Sequence, residues 1–280
     1  MFASAAQRER KAILMVAPNG ARRTKDDHSA LPVTARELAE ETALAVDAGV
    51  TVVHAHARDE QGAHSLDIER NREVYTALSE RLGDKVVIQL TTEAVGIYQP
   101  DAQMALIEAL KPEAASFALR ELIPDDEPAT LAQGREFFHA SRAWGTIAQY
   151  ILYSAEDVAR YHALKDQGVL PNDAHHLLFV LGRYTVGQVS SPRDLLPFVQ
   201  AHSDDTPWAV CAFGRDEHRC ASTALALGGD VRVGFENNLL DMYGNPAVNN
   251  ATLVAQAATT ARSMGREIMT PAQYRALFAL

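Results

Sequence analysis

The sequence predicts a (β/α)8 barrel, a closed ring of eight parallel strands with helices between them, folded as one α/β domain over residues 1–280. Three observations carry that expectation. Short apolar, β-branched runs alternate with longer amphipathic ones along the whole chain. Most of the short runs are nearly continuous in Val, Ile, Leu and Ala, which suits strands covered on both faces. No Ser/Gly-rich linker divides the chain, and its 280 residues are close to the roughly 250 of a typical barrel.

The elements follow in order. Ala12 to Ala17 is the first strand, and the Pro18-Asn19-Gly20 after it is not the Gly-rich fingerprint that opens a doubly wound nucleotide-binding sheet. Thr34 with Glu37 forms a capping box for a helix that Gly49 ends. Val50 to Ala57 and Lys85 to Thr91 are the second and third strands. Pro100 opens a helix, and Lys111-Pro112-Glu113 closes it, because Pro cannot continue one. Ala114 to Leu119 and Thr146 to Leu152 follow, with Ser154 as the next cap. His176 to Leu181 precedes a helix opened by Ser191-Pro192. Trp208 to Phe213 and Val231 to Phe235 complete the ring, and Pro271 to Leu280 is a closing helix.

Charge excludes some functions. The 26 basic and 36 acidic residues leave a net −10, which argues against a general nucleic-acid or anionic-membrane binder while permitting a local basic pocket. Cys211 and Cys220 read as two reduced, buried thiols. Met1 to Arg10 lacks the apolar core of a secretory signal, and no stretch approaches the roughly twenty apolar residues of a membrane span. A soluble, cytoplasmic protein is expected.

In a barrel, reactive side chains belong at the C-terminal ends of strands. Those positions hold Asn19 and Arg22 after strand one, and His54, His56, Arg58 and Asp59 on strand two. They also hold Gln89, Thr91, Thr92 and Glu93 on strand three, and Ser116 and Arg120 on strand four. Gln149 and Tyr153 end strand five, Arg215 follows strand seven, and Arg232, Glu236 and Asn237 belong to strand eight.

His54-Ala55-His56 is the strongest signal. Residues two apart on a strand face the same way, so both imidazoles converge on one point and suit zinc or a similar divalent ion. Glu236 is the expected third ligand, because alternate strands share a barrel layer and only strand one separates strands eight and two. Such a set with one open position is catalytic in type. Arg58 and Asp59 read as a structural ion pair. His175 and His176 start strand six, on the stability face. His64, His139, His162, His202 and His218 read as solvated or capping. Arg232, inside the barrel, requires a partner or an anion.

With these residues in place the sequence resembles the β-keto acid cleavage enzymes. The resemblance spans nearly the whole chain and rests on five landmarks. They are Ala17-Pro18-Asn19-Gly20-Ala21-Arg22, Leu31-Pro32-Val33-Thr34, Val53-His54-Ala55-His56-Ala57-Arg58-Asp59, Lys111-Pro112-Glu113 and Val233-Gly234-Phe235-Glu236-Asn237-Asn238. It implies a zinc-dependent barrel that condenses a β-keto acid with acetyl-CoA to give acetoacetate and a new CoA ester, in a homotetramer. It also implies zinc on His54, His56 and Glu236. Thr91 and Ser116 fall at hydroxyl positions beside the substrate, and Arg232 at the arginine that relatives pair with an acid.

Two departures shape the expectation. Relatives commonly end strand eight in Glu-Asp, and here it is Glu236-Asn237. An amide cannot act as general base, so polarisation of the ketone by zinc is the expected route to the enolate. Relatives that take an amine-bearing keto acid present acids from strands one and five, where this chain has Arg22 and either Gln149 or Ile151. A neutral or anionic substrate is expected, with Asn19 and Arg22 at the rim of its pocket. The rival readings are a metal-dependent hydrolase of the amidohydrolase type and a non-catalytic barrel that binds a small carboxylate. The first places its His-x-His on strand one and adds histidines after strands five and six, unlike this chain.

Overall fold

The strands close into a barrel in which each pairs in parallel with the next and the eighth returns to the first. The computed structural model describes residues 10–173 and 175–278. Its strands are β1 (Leu14–Val16), β2 (Val52–Ala55), β3 (Val87–Thr91), β4 (Ala114–Ala118), β5 (Ile147–Leu152), β6 (His176–Leu181), β7 (Trp208–Ala212) and β8 (Asp230–Val233). The helices on the outside are α1 (Ala35–Asp47), α2 (Ile68–Leu82), α3 (Pro100–Leu110), α4 (Leu119–Leu122) and α5 (Pro128–Ala143), followed by α6 (Ala155–Asp166), α7 (Leu196–Ala201), α8 (Glu217–Ala226), α9 (Asn250–Ser263) and α10 (Pro271–Phe278).

All eight expected strands are present, most of them shorter than the apolar runs that announce them. His56 and Ala57 lie past the end of β2, and Phe235 past β8. Gly234 has φ +138°, and a Cβ there would meet the Ala17 carbonyl oxygen at 2.4 Å. The chain therefore leaves the ladder at this glycine and runs against the end of β1. In the other direction β8 begins at Asp230, a charge the apolar run did not include. Asp230 is fully buried, with Arg10 at 2.5 Å and Arg266 at 3.7 Å to balance it.

The start and stop signals work as expected. Thr34 and Glu37 form the full capping box of α1, an arrangement whose cap contributes about 1 kcal/mol, and Gly49 follows with φ +103°. Ser154 caps α6. Ser191-Pro192 opens a single 3-10 turn, Pro192–Leu195, which runs on into α7. Lys111 ends α3 in the left-handed region, and the Glu113 beyond it receives Ile88 N–H and Arg275 of α10. That pair pins the closing helix across the N-terminal face, where Tyr274 and Phe278 pack on Ile13, Met15, Val52, Val87 and Ala114. The last two residues of the expected closing helix lie outside the described residues. With one face plugged, the opposite, C-terminal face is left for chemistry.

Candidate active site

His54 and His56 point into that face from one side of β2, with their Nε2 atoms 3.0 Å apart. Glu236 Oε2 lies 3.6 Å from the first and 3.4 Å from the second, and it has no hydrogen-bond partner among the described residues. Bonds of 2.0–2.1 Å in a tetrahedral shell place donor atoms about 3.3 Å apart. The three donors are therefore spaced as ligands of one metal ion. Glu236 arrives by an unexpected route. It sits in the turn beyond β8 rather than in a shared strand layer, and Glu236 N–H on the Ala17 carbonyl holds that turn over β1. Gly20 makes room: a Cβ there would meet Glu236 Cγ at 2.5 Å.

Both imidazoles are oriented by their far nitrogens. Tautomers assigned from the hydrogen-bond network are consistent throughout. His54 Nδ1–H donates to Gln89 Oε1 at 2.8 Å, Gln89 Nε2 donates to Gln149 Oε1, and Gln149 Nε2 donates to His176 Nδ1 at 3.0 Å. His176 Nε2 then lies 3.3 Å from Asp230 Oδ2. Every donor in this string points away from His54 and toward a buried carboxylate, which raises the electron density left on His54 Nε2. Burial, with Arg232 adding to it, holds His54 far below the usual imidazole range, so the ring is neutral as ligation requires.

His56 is held by a residue expected to be solvated. His64 is only 6% exposed, because an Arg58–His64 bridge folds the loop back onto the barrel. His64 Nε2–H donates to the Glu93 carbonyl, so its Nδ1 is the acceptor for His56 Nδ1–H at 3.4 Å. Burial first, then His56, pushes His64 down to about 4, which keeps it a neutral acceptor. Arg58 also departs from expectation. Instead of pairing with Asp59, it donates to the carbonyls of Asn19, Gly20, Arg23 and Gly62 and so ties the β1 loop to the β2 loop. Four backbone acceptors surround the buried guanidinium, and the half-buried Asp59 instead accepts Gln61 and Ala63 N–H.

Arg232 is buried and has the partner it needs. Its Nη2 lies 2.9 Å from Glu236 Oε1 and 3.3 Å from Cys211 Sγ. Burial opposes ionisation of Glu236, but Arg232 foremost and then His56 hold its carboxyl well below the ordinary range. Burial pushes the Cys211 thiol up to about 11, so it is a neutral neighbour. Asn237 sits behind this pair: its Oδ1 is 3.5 Å from Arg232 Nη2, and its Nδ2 donates to the Arg232 carbonyl and to Glu217 Oε1.

A cavity open to solvent, with about 370 Å³ of empty space that includes its mouth, lies beside His54, Thr91, Arg232 and Glu236. Ala118, Ile151, Val180 and Phe213 form its far wall, and an Arg183–Glu93 pair lies at its edge. Of the two strand-five candidates, Ile151 lines the cavity, while Gln149 lies deeper and belongs to the string below His54. Ser116 is fully buried beneath Ala118, its Oγ without a partner among the described residues. Asn19 and Arg22 line an adjoining recess, where the Asn19 amide brackets the backbone of His56. Arg183 and Phe213 were not singled out from the sequence. Both lie beyond strand ends on loops whose path follows no local pattern.

The family described as beta-keto acid cleavage enzyme matches residues 11–280. A 3-keto-5-aminohexanoate cleavage enzyme from Fusobacterium nucleatum is 30% identical over 277 residues, covering 96% of this chain and 98% of that protein. A 3-oxoadipate:acetyl-CoA acetyltransferase from Cupriavidus necator is 28% identical over 277 residues, covering 96% and 94%. Among solved structures, the apo form of ObcA superposes with a TM-score of 0.70 at 18% identity. That match covers 89% of this chain but spans only 65% of the ObcA chain, and it bears on the fold alone.

Proposed function

The chain belongs to the beta-keto acid cleavage enzyme family, and on that premise we propose that it transfers the acyl group of a neutral or anionic β-keto acid to CoA. In the proposed reaction R–CO–CH2–COO⁻ and acetyl-CoA give R–CO–CoA and acetoacetate. The bond between the acyl carbon and C2 of the keto acid breaks, C2 bonds to the acetyl carbonyl carbon, and the sulfur passes to the acyl group. Atoms balance and no redox partner is required.

His54, His56 and Glu236 would hold a zinc ion, and the convergence of these three donors beside Arg232 is the observation that carries the reading. Zinc bound there would supply Lewis-acid polarisation of the substrate ketone. Arg232 keeps Glu236 ionised and offers positive charge to an enolate or carboxylate in the cavity. Thr91 lines the same cavity as a hydroxyl partner, and Asn19 steadies the backbone of His56. Asn237 steadies Arg232 and is not a base, Arg22 borders the substrate space from the adjoining recess, and Ser116 would act from the buried layer beneath the cavity. The described residues include no helix long and apolar enough to cross a membrane. A cytoplasmic homotetramer is part of the proposal.

The test is to incubate the purified protein with acetyl-CoA and a set of β-keto acids. Acetoacetate and the matching new CoA thioester should form in equal amounts. Acetoacetate without a new thioester would point to a different reaction.

A further inference from the structure

The upper interior of the barrel has two unlike halves. His54, Thr91, Arg232 and Glu236 make one side polar, while Ala118, Ile151, Val180 and Phe213 face them across the cavity. These four are buried and belong to one apolar cluster drawn from the ends of β4, β5, β6 and β7. At the edge, Arg183 Nη2 lies 2.9 Å from Glu93 Oε1, with the two side chains 11% and 16% exposed. The Arg183 guanidinium also lies 5.2 Å from the centre of the Phe213 ring.

We propose that the Ala118–Ile151–Val180–Phe213 wall is the tail subsite, and that it selects β-keto acids whose tail is a short, uncharged alkyl chain. This rests on the proposed reaction and narrows its neutral-or-anionic substrate to the neutral class. The carboxylate and ketone of a β-keto acid are one carbon apart, and both need the polar half of the cavity. The tail is left with the apolar wall.

The wall itself offers a charged tail no ionic partner, since its four residues are apolar and Arg22 lines the adjoining recess instead. A tail carboxylate could take Arg183 only by displacing Glu93, which would leave a mostly buried anion beside the incoming one. A tail ammonium could take Glu93 only by stranding Arg183 in the same way. Ile151 occupies the strand-five place with no charge to offer. An alkyl tail leaves the Arg183–Glu93 pair intact and gains roughly three- to fivefold for each methylene removed from water.

The experiment compares kcat/KM of the metal-loaded protein, with acetyl-CoA, for 3-oxopentanoate, 3-oxohexanoate, 3-oxoadipate and 6-amino-3-oxohexanoate. The alkyl acids should lead both charged acids by about 10²-fold or more, and 3-oxohexanoate should exceed 3-oxopentanoate by about threefold to fivefold. Val180→Ala should shift the optimum toward a longer alkyl tail. Ile151→Glu should lower the alkyl acids and raise the amino acid analogue, with circular dichroism confirming that each variant is folded. A charged acid leading in the native protein overturns the tail assignment while leaving the reaction standing. No thioester from any of the four overturns the reaction and the tail assignment together.

Discussion

Asn237 Nδ2 lies 3.3 Å from Glu217 Oε1, so the amide that follows Glu236 donates to a carboxyl buried one layer behind the site. Glu217 also receives Gly234 N–H and Asn238 Nδ2. These donors hold the turn that carries Glu236, and the burial of Glu217 has a consequence for stability.

Burial raises Glu217 from the ordinary 4.5 to about 8, against the pull of its three hydrogen-bond donors. Because the folded value lies above the unfolded one, the native state binds the extra proton between about 4.5 and 8. The Glu217 contribution is therefore most favourable below this window and falls as pH rises through it. Melting temperature followed from pH 5 to pH 8.5 should drop more steeply for the native protein than for Glu217→Gln. Parallel curves for the two would contradict the assignment.

Gln149 lies two hydrogen bonds from the nearest metal donor, in the string from His54 to Asp230. Gln149→Leu should free Gln89 to turn and weaken metal binding about tenfold or more, read by competition with a chelator. It should also lower stability by about 1–3 kcal/mol, because Gln89 and His176 each lose a buried partner. Unchanged metal affinity in a folded variant would show that the string does not govern the ligand.

Gly20→Ala tests how Glu236 is placed. The added methyl meets Glu236 Cγ at 2.5 Å in a backbone with φ +61°. The side chain of Glu236 must move, so metal affinity should fall by more than an order of magnitude. Native affinity in this variant would mean that the β1 loop and the turn after β8 adjust together.

Asn237→Asp should change the rate and its pH dependence without creating the activity, because the amide already partners Arg232. General-base help is typically worth about 10²–10⁴-fold. A native protein slower than the variant by four orders of magnitude would show that a carboxylate at this position is indispensable.

The fold and the His54–His56 pair were legible because both follow from short-range periodicity. Alternation on β2 puts His54 and His56 on one side, and ring closure brings the end of β8 past β1 toward them. The structure corrects the route taken by Glu236, which depends on the turn at Gly234 rather than on a strand layer. His64 as a brace, Arg58 among carbonyls and the Arg183–Glu93 pair were not legible. Each depends on a loop folding back over the barrel, a path set by contacts between segments distant in sequence. Gln149 and Ile151 face the same way on β5, and only their depth in the barrel, which periodicity does not give, separates them.

The most direct measurement is a paired one on the native protein and on His54→Ala and His56→Ala. Each should be assayed for bound metal and for conversion of 3-oxohexanoate with acetyl-CoA. The metal assignment predicts about one zinc per native chain and equal yields of acetoacetate and butyryl-CoA, with both metal and turnover lost in the variants. Full zinc occupancy in the folded variants, or undiminished turnover by them, would contradict it.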